Sequence, residues 1–340
     1  MSEREEGDRL SGAPHPRAQT KLFGHQAAEA EILAAFNAGR LPHALLLGGP
    51  EGIGKATLAY RIARFLLSAP KPGAKSLAIP ADHPASRQTL ALSHPDLVVL
   101  RRIAIEEGKK PPTEISVDEV RRAVSFFGST AAMGGWRIAI VDSVDELNAN
   151  GANALLKMLE EPPQHSLFLL ISHAPGRLLA TIRSRCRRLL LRPLADADVV
   201  KAVESVADEI PDLDRARTRE AAAASGGSVR HAIALLLGEG LEVRNLTEDL
   251  LAKLPAVDGE ALHKLGDKLY GGDALYVFAD VVEDWLAQAA TQTGAAPARL
   301  ARFAETWENV RRAAAETDVY NLDRKPLVFQ VFSMLAEATR

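Results

Sequence analysis

The run Leu45-Leu46-Leu47-Gly48-Gly49-Pro50-Glu51-Gly52-Ile53-Gly54-Lys55-Ala56-Thr57 constrains this chain more than any other stretch. An apolar strand-like segment breaks into glycines, meets a lysine and passes into the helical repeat Leu58, Ile62, Phe65, Leu66, the order of a phosphate-binding strand, loop and helix. Gly49, Gly52 and Gly54 would let successive N–H groups curl around an anion, and the helix that follows aims its positive end at the same spot. Lys55 would add a point charge on the β and γ phosphates. Position 56, however, should carry the hydroxyl that holds magnesium, and it is Ala56. Thr57 substitutes for it only if the helix begins one residue late.

Around this loop the patterns alternate. Short apolar runs at 44–47, 97–100, 137–142, 167–171 and 188–191 read as strands, and helical periodicity at 115–127 and 150–161 separates them, the second stopped by Pro162-Pro163. Strands alternating with helices predict an α/β domain with a parallel sheet over 19–192. Residues 68–95 have little periodicity and read as a long excursion, and Arg101, Arg102, Lys109 and Lys110 fall in a polar connection expected to be a solvated loop. Beyond Pro193 the pattern is helical throughout. Leu275, Phe278, Val282 and Leu286 share one face, Leu300, Phe303, Trp307 and Val310 a second, and Leu327, Val331 and Leu335 a third, all expected to be bundle core.

Composition removes some alternatives. Over 340 positions, 47% hydrophobic and 25% charged residues are ordinary for a folded chain of two or three domains. A formal net charge of -3 argues against a protein that grips DNA chiefly through a basic surface and favours protein partners. Cys186 is the only cysteine, so neither an internal disulfide nor a cysteine-cluster zinc site can form. No apolar run approaches the roughly 18 to 20 residues of a membrane span, and the polar start lacks the apolar core of a signal peptide; a cytoplasmic location is expected. Residues 1–18 have almost no large apolar side chains and are expected to be a disordered tail.

The second candidate for chemistry is Asp142, at the end of Arg137-Ile138-Ala139-Ile140-Val141-Asp142. Open α/β sheets bind ligands at that strand edge, and an acid there holds the nucleotide's magnesium. In many ATPases of this layout the next residue is a glutamate that orients water, but here it is Ser143. Asp145 and Glu146 fit structural or solvated roles better than that of a displaced base. Two features of an active hydrolase are therefore missing.

The segments Asn153-Ala154-Leu155-Leu156-Lys157-Met158-Leu159-Glu160-Glu161-Pro162-Pro163 and Ser184-Arg185-Cys186, in this order around the loop and Asp142, resemble the signature segments of bacterial clamp-loader subunits in the AAA+ ATPase superfamily. The resemblance covers about residues 20–240 well, and the helical remainder, with Asn321-Leu322-Asp323-Arg324-Lys325-Pro326, more loosely. It implies an AAA+ P-loop domain, a helical lid over 193–240 and a helical collar over 245–340 that holds the oligomer. It also implies that Arg185 acts in trans as an arginine finger on a nucleotide held by a neighbouring subunit. Arg230 takes the place of the lid's nucleotide sensor and Ser172 that of the strand-end sensor, although an arginine at a helix start can simply salt-bridge and a strand-end serine can cap a turn. Arg183, Arg185, Arg187 and Arg188 could otherwise be a solvated basic edge, and Cys186 reads as a packed residue rather than a nucleophile.

The implied partners are the tau or gamma and delta subunits of the replicative polymerase, and, through the assembly, the sliding clamp and primed DNA. ATP or ADP would bind weakly if at all, at Gly49, Gly52, Gly54, Lys55, Thr57, Asp142 and Arg230. No nucleotide turnover in cis is expected. Better-known members of the family carry a cysteine-ligated zinc module after the loop helix; residues 68–95 contain no cysteine, and His83 and His94 alone cannot make a tetrahedral site, so no zinc or other metal is expected. The rival readings are an active motor subunit of the same loader, against which Ala56 and Ser143 count, a free-standing P-loop NTPase or kinase, and a scaffold that binds no nucleotide.

Overall fold

A computed structural model describes residues 8–10, 12–103, 112–128, 132, 134–270, 273–292 and 297–339. Two compact units are present: one comprises Met1–Arg9, Ala13–Glu209 and Gly226–Arg230, the other Leu10–Gly12, Ile210–Ser225 and His231–Arg340.

The first unit is built on five strands, β1 (Ala44–Gly48), β2 (Leu97–Arg101), β3 (Arg137–Asp142), β4 (Ser166–Ser172) and β5 (Arg187–Leu190). They form one parallel sheet in the order β2-β3-β4-β1-β5. The central strands are continuous apolar runs because both faces are covered. Leu45, Leu47, Ile138, Ile140, Leu167 and Leu169 face one way, into a cluster with Ile32 of α1 (Gln26–Asn37) and Leu58, Ile62 and Phe65 of α2 (Lys55–Leu67). The alternate residues Leu46, Ala139, Val141, Phe168 and Leu170 face the opposite cluster, which holds Val120 and Phe127 of α4 (Val117–Phe127) and Leu155 and Leu159 of α5 (Ala149–Glu160). Between α2 and β2 lies the short α3 (Pro84–Leu90); α6 (Ala180–Arg185) precedes β5, and α7 (Asp196–Glu204) follows it. Local chemistry fixes the helix starts: the Ser116 hydroxyl accepts the Glu119 N–H at 3.3 Å and the Asn148 side chain accepts the Gly151 N–H at 2.9 Å. A residue such as Phe168, wholly buried, would cost about 3–5 kcal/mol if cut to alanine.

Two expectations are corrected here, and the 68–95 excursion is filled in. The described part of 1–18 is packed, not floppy: Ala13 and His15 are buried, and the turn Pro16–Ala18 lies against α2 and α3. Polar contacts hold it alongside the buried Ala13: His15 bonds to Asp8 at 2.9 Å, and Arg64 donates to Arg17 O at 2.8 Å. Arg101 and Arg102 are not solvated either; Arg101 is buried beside Asp8, and Arg102 pairs with Glu146 at 2.8 Å. Lys109 and Lys110 lie outside the described residues. The 68–95 excursion contains α3 and buries Leu77, Ala85 and Thr89; His83 and His94 each accept a backbone N–H two residues on, at 3.1 Å, which makes both histidines turn and helix caps.

In the second unit the helices are α8 (Thr218–Ala224), α9 (Val229–Leu236, from His231), α10 (Gly240–Leu251), α11 (Gly259–Lys268), α12 (Ala274–Gln292), α13 (Pro297–Val319) and α14 (Arg324–Thr339). Leu275, Phe278, Val282 and Leu286 are buried, as are Phe303, Val310, Leu327, Val331 and Leu335. Leu300 departs from its expected stripe and is exposed, one turn from the start of α13. The division between the units falls at Glu209, so α7 lies in the first and α8 in the second, whereas the expected boundaries stand at 193 and 240.

Candidate functional site

The loop after β1 turns at Gly49, Gly52 and Gly54 and delivers Lys55 to the first position of α2. Its root is fixed on two sides: the Gly49 N–H donates to Ser172 O at 3.2 Å, and the Leu191 N–H donates to Gly48 O at 2.8 Å. Lys55 does not face outward. It is 3% exposed, and its ammonium donates to the loop's own carbonyls, Gly49 O at 2.7 Å and Pro50 O. Burial pushes its pKa down to about 8 against the opposing pull of the Glu51 and Asp142 charges.

The other side of the loop is closed as well. The Gly52 carbonyl accepts the Val229 N–H at 3.0 Å, and Arg230 Nε lies 3.2 Å from a Glu51 carboxylate oxygen. Gly52 has a φ of +75°, and a Cβ there would sit 2.1 Å from Ser228 Oγ and 2.6 Å from Arg230 Cβ. Only glycine accommodates both the left-handed backbone and that approach. From the remaining side His25, buried, bonds through Nε2 to Ile53 O at 2.7 Å.

Asp142 ends β3 and is buried; burial, then the charges of Asp8 and Glu146, push its carboxyl well above the usual range. Asp145, one of the two acids considered as a displaced base, serves as an acceptor for the ends of β3 and β4. It accepts the Ser143 hydroxyl at 3.0 Å, the Ser172 hydroxyl at 2.9 Å and the His173 N–H at 2.6 Å. Ser172 therefore has its hydroxyl turned to a carboxylate within the chain. The His173 imidazole beside it is pushed by burial down to about 4 and is neutral at pH 7.

Taken as a set, Gly49, Gly52, Gly54, Lys55, Asp142 and Arg230 do come together, with Thr57 half-buried on the first turn of α2. As arranged they do not fit a metal-bound nucleotide. The lysine and the Gly52 carbonyl bond within the chain, Ser228 and Arg230 cover the loop, and Ala56 packs against the core with no hydroxyl to offer. Sequence reasoning missed His25, Glu51 and His173, whose partners lie far along the chain; His25, just before a helix start, was the one with a local signal. Among the described residues no group of three or more His, Cys, Asp or Glu is placed to hold a metal ion.

Arg185 sits elsewhere, in the last turn of α6. Its guanidinium donates to Thr181 O at 3.0 Å and pairs with Glu160 at 2.7 Å, and its side chain is 34% exposed. Cys186 next to it is buried, and burial pushes the thiol up to about 11, which leaves it inert.

The family model described as DNA polymerase III, delta subunit, matches residues 24–195, just over half of the chain. The chain belongs to the DNA polymerase III delta-subunit family. Delta prime subunits are among the relatives it resembles. A DNA polymerase III subunit delta' of Pseudomonas aeruginosa is 42% identical over 186 residues, 55% of this chain and 53% of that protein. The subunit delta' of Escherichia coli is 35% identical over 234 residues, 68% of this chain and 66% of that protein. A subunit gamma of Buchnera aphidicola is 29% identical over 222 residues, 65% of this chain and 58% of that protein. The chain thus spans about half to two thirds of the length of the relatives it matches. The family match covers the loop, Asp142, the segment from Asn153 to Pro163 and Ser184-Arg185-Cys186, the segments that carry the AAA+ resemblance.

Proposed function

We propose that this chain is a clamp-loader subunit that works as a stator: it binds no catalytic nucleotide itself and lends Arg185 to the active site of a neighbouring ATPase subunit. The observation that carries this reading is the position of Lys55, whose ammonium is engaged by the carbonyls of its own loop while Arg185 keeps a third of its side chain in solvent. A planar, permanently charged guanidinium suits the oxygens of a transferring phosphoryl group, where transition-state charge grows. Partners follow from the family: tau or gamma subunits that supply the nucleotide, the delta subunit, and through the ring the sliding clamp and primed DNA. The α/β part would act as docking face, 193–240 as lid and 245–340 as collar, in the cytoplasm.

The test has two arms. Calorimetric titration of the isolated chain with Mg-ATP and Mg-ADP should show no binding, and turnover by this chain would overturn the stator role. A loader reconstituted with Arg185→Ala should lose ATPase; unchanged hydrolysis would remove the finger while leaving the nucleotide-free loop standing.

A further inference from the structure

We propose that the N-terminal segment from Asp8 to Thr20 is an intrachain strap that joins the loop helix α2 to the sheet edge, the mechanical tie that a metal-bound nucleotide makes in P-loop enzymes. Such a ligand is held by the loop and first turn of the helix on one side and by the strand-end carboxylate on the other, so it couples helix to sheet. Here the Lys55 ammonium is turned to the carbonyls of its own loop. The strap spans the same two elements by another route.

On the helix side, Arg64 of α2 is 3% exposed and donates to Arg17 O at 2.8 Å and to Gln19 O. Arg61, one turn earlier, donates to Thr20 O and pairs with Glu29 of α1. A buried guanidinium needs those carbonyls, because without them its charge is left unpaired in a poorly hydrated place. Helix and strap therefore require each other. Arg17 in turn donates through Nε to Leu90 O at 3.1 Å, which brings in α3.

On the sheet side the anchor is ionic and dry. His15 Nδ1 accepts the Arg17 N–H at 3.0 Å, which leaves the proton on Nε2; Nε2 donates to Asp8 Oδ2 at 2.9 Å. The other Asp8 oxygen lies 3.4 Å from a guanidinium nitrogen of Arg101, the last residue of β2, which is in register with Asp142 of β3. The Asp8 and His15 side chains are each 4% exposed and that of Arg101 8%. The His15 ring also meets Tyr60 of α2 edge-on, with centroids 5.7 Å apart, so a single side chain touches both halves of the tie. Along an exposed tail such a set of contacts would not survive the entropy of ordering it; here the Arg64 guanidinium and the Asp8 carboxylate are buried with their charges matched by strap and sheet-edge groups, and that makes it hold.

The inference rests on the reading that this subunit works without nucleotide, and one experiment separates the two. Hydrogen exchange would be followed by mass spectrometry on the full chain, on a chain beginning at residue 21 and on Asp8→Asn, each with and without Mg-ADP, with circular dichroism confirming the fold. Both variants should exchange about tenfold or more faster in α2 and β2, with α12 unchanged and no recovery on adding Mg-ADP. Asp8→Asn keeps the volume and removes the charge, so it decides the matter if the shortened chain does not fold. Unaltered exchange in α2 and β2, or a change confined to residues 8–20, would overturn the strap. Protection of the unmodified chain by Mg-ADP would overturn the nucleotide-free reading instead.

Discussion

The loop at Lys55 and the corner at Arg185 each present a cation suited to phosphate, and they differ in what competes for it. Lys55 is buried and bonded to Gly49 O and Pro50 O, with Ser228 and Arg230 over the loop. Arg185 is partly solvated and paired with a Glu160 that is itself 48% exposed. Freeing the first means breaking buried charge-assisted hydrogen bonds worth about 1.5–3 kcal/mol each; freeing the second costs on the order of 0–1 kcal/mol, as for other surface ion pairs. On the proposed stator reading, the motif keeps its letters while its lysine is engaged within the chain, and Arg185 is the cation with the weaker hold.

The largest effect that sharpens this contrast is in the assembled loader. Arg185→Ala should lower turnover at the neighbouring site by about 10³-fold or more, as arginine fingers do, and Lys55→Ala should leave it unchanged. Equal losses would erase the distinction. Next comes the pH dependence of stability. The Lys55 pKa falls from 10.5 to about 8 on folding, so the unfolded chain binds more protons between those values, and stability rises with pH there. The unfolding free energy of the wild type minus that of Lys55→Met, from urea titrations, should grow by up to about 3 kcal/mol between pH 8 and 10.5; a flat difference would mean that the ammonium is not buried. Gly52→Ala, which combines a positive φ with a clash on Ser228, should cost about 2 kcal/mol of stability. A neutral outcome in the same assay would open the covered side of the loop. The smallest change is Glu160→Gln, expected to alter stability by about 0.5 kcal/mol or less and to leave loader turnover intact; a large loss would tie Arg185 more firmly than the structure does.

The strands at β1, β3 and β4 are readable because their unbroken apolar runs, Ala44 to Leu47, Ile138 to Val141 and Leu167 to Ile171, can only be buried on both faces, and α5 because its period and its Pro162-Pro163 stop are local. Asp145 was legible as an acid near the edge but not as an acceptor, since its partners Ser172 and His173 lie 27 and 28 residues on. The Asp8 contact with Arg101 spans 93 residues and carries no periodic signal at either end. A tail poor in apolar residues looks disordered whenever its polar anchors lie far along the chain.

By itself the sequence determined the α/β class, the order of strand, loop and helix, the missing hydroxyl at Ala56 and the missing carboxylate at Ser143, because each is written in neighbouring residues. Tertiary structure alone decided that Lys55 turns inward, that Ser228 and Arg230 close over Gly52, and that Asp8 and His15 pin the chain's start to Arg101. Those outcomes depend on which groups burial leaves without water, and desolvation is a property of the packed molecule and not of any short stretch of it.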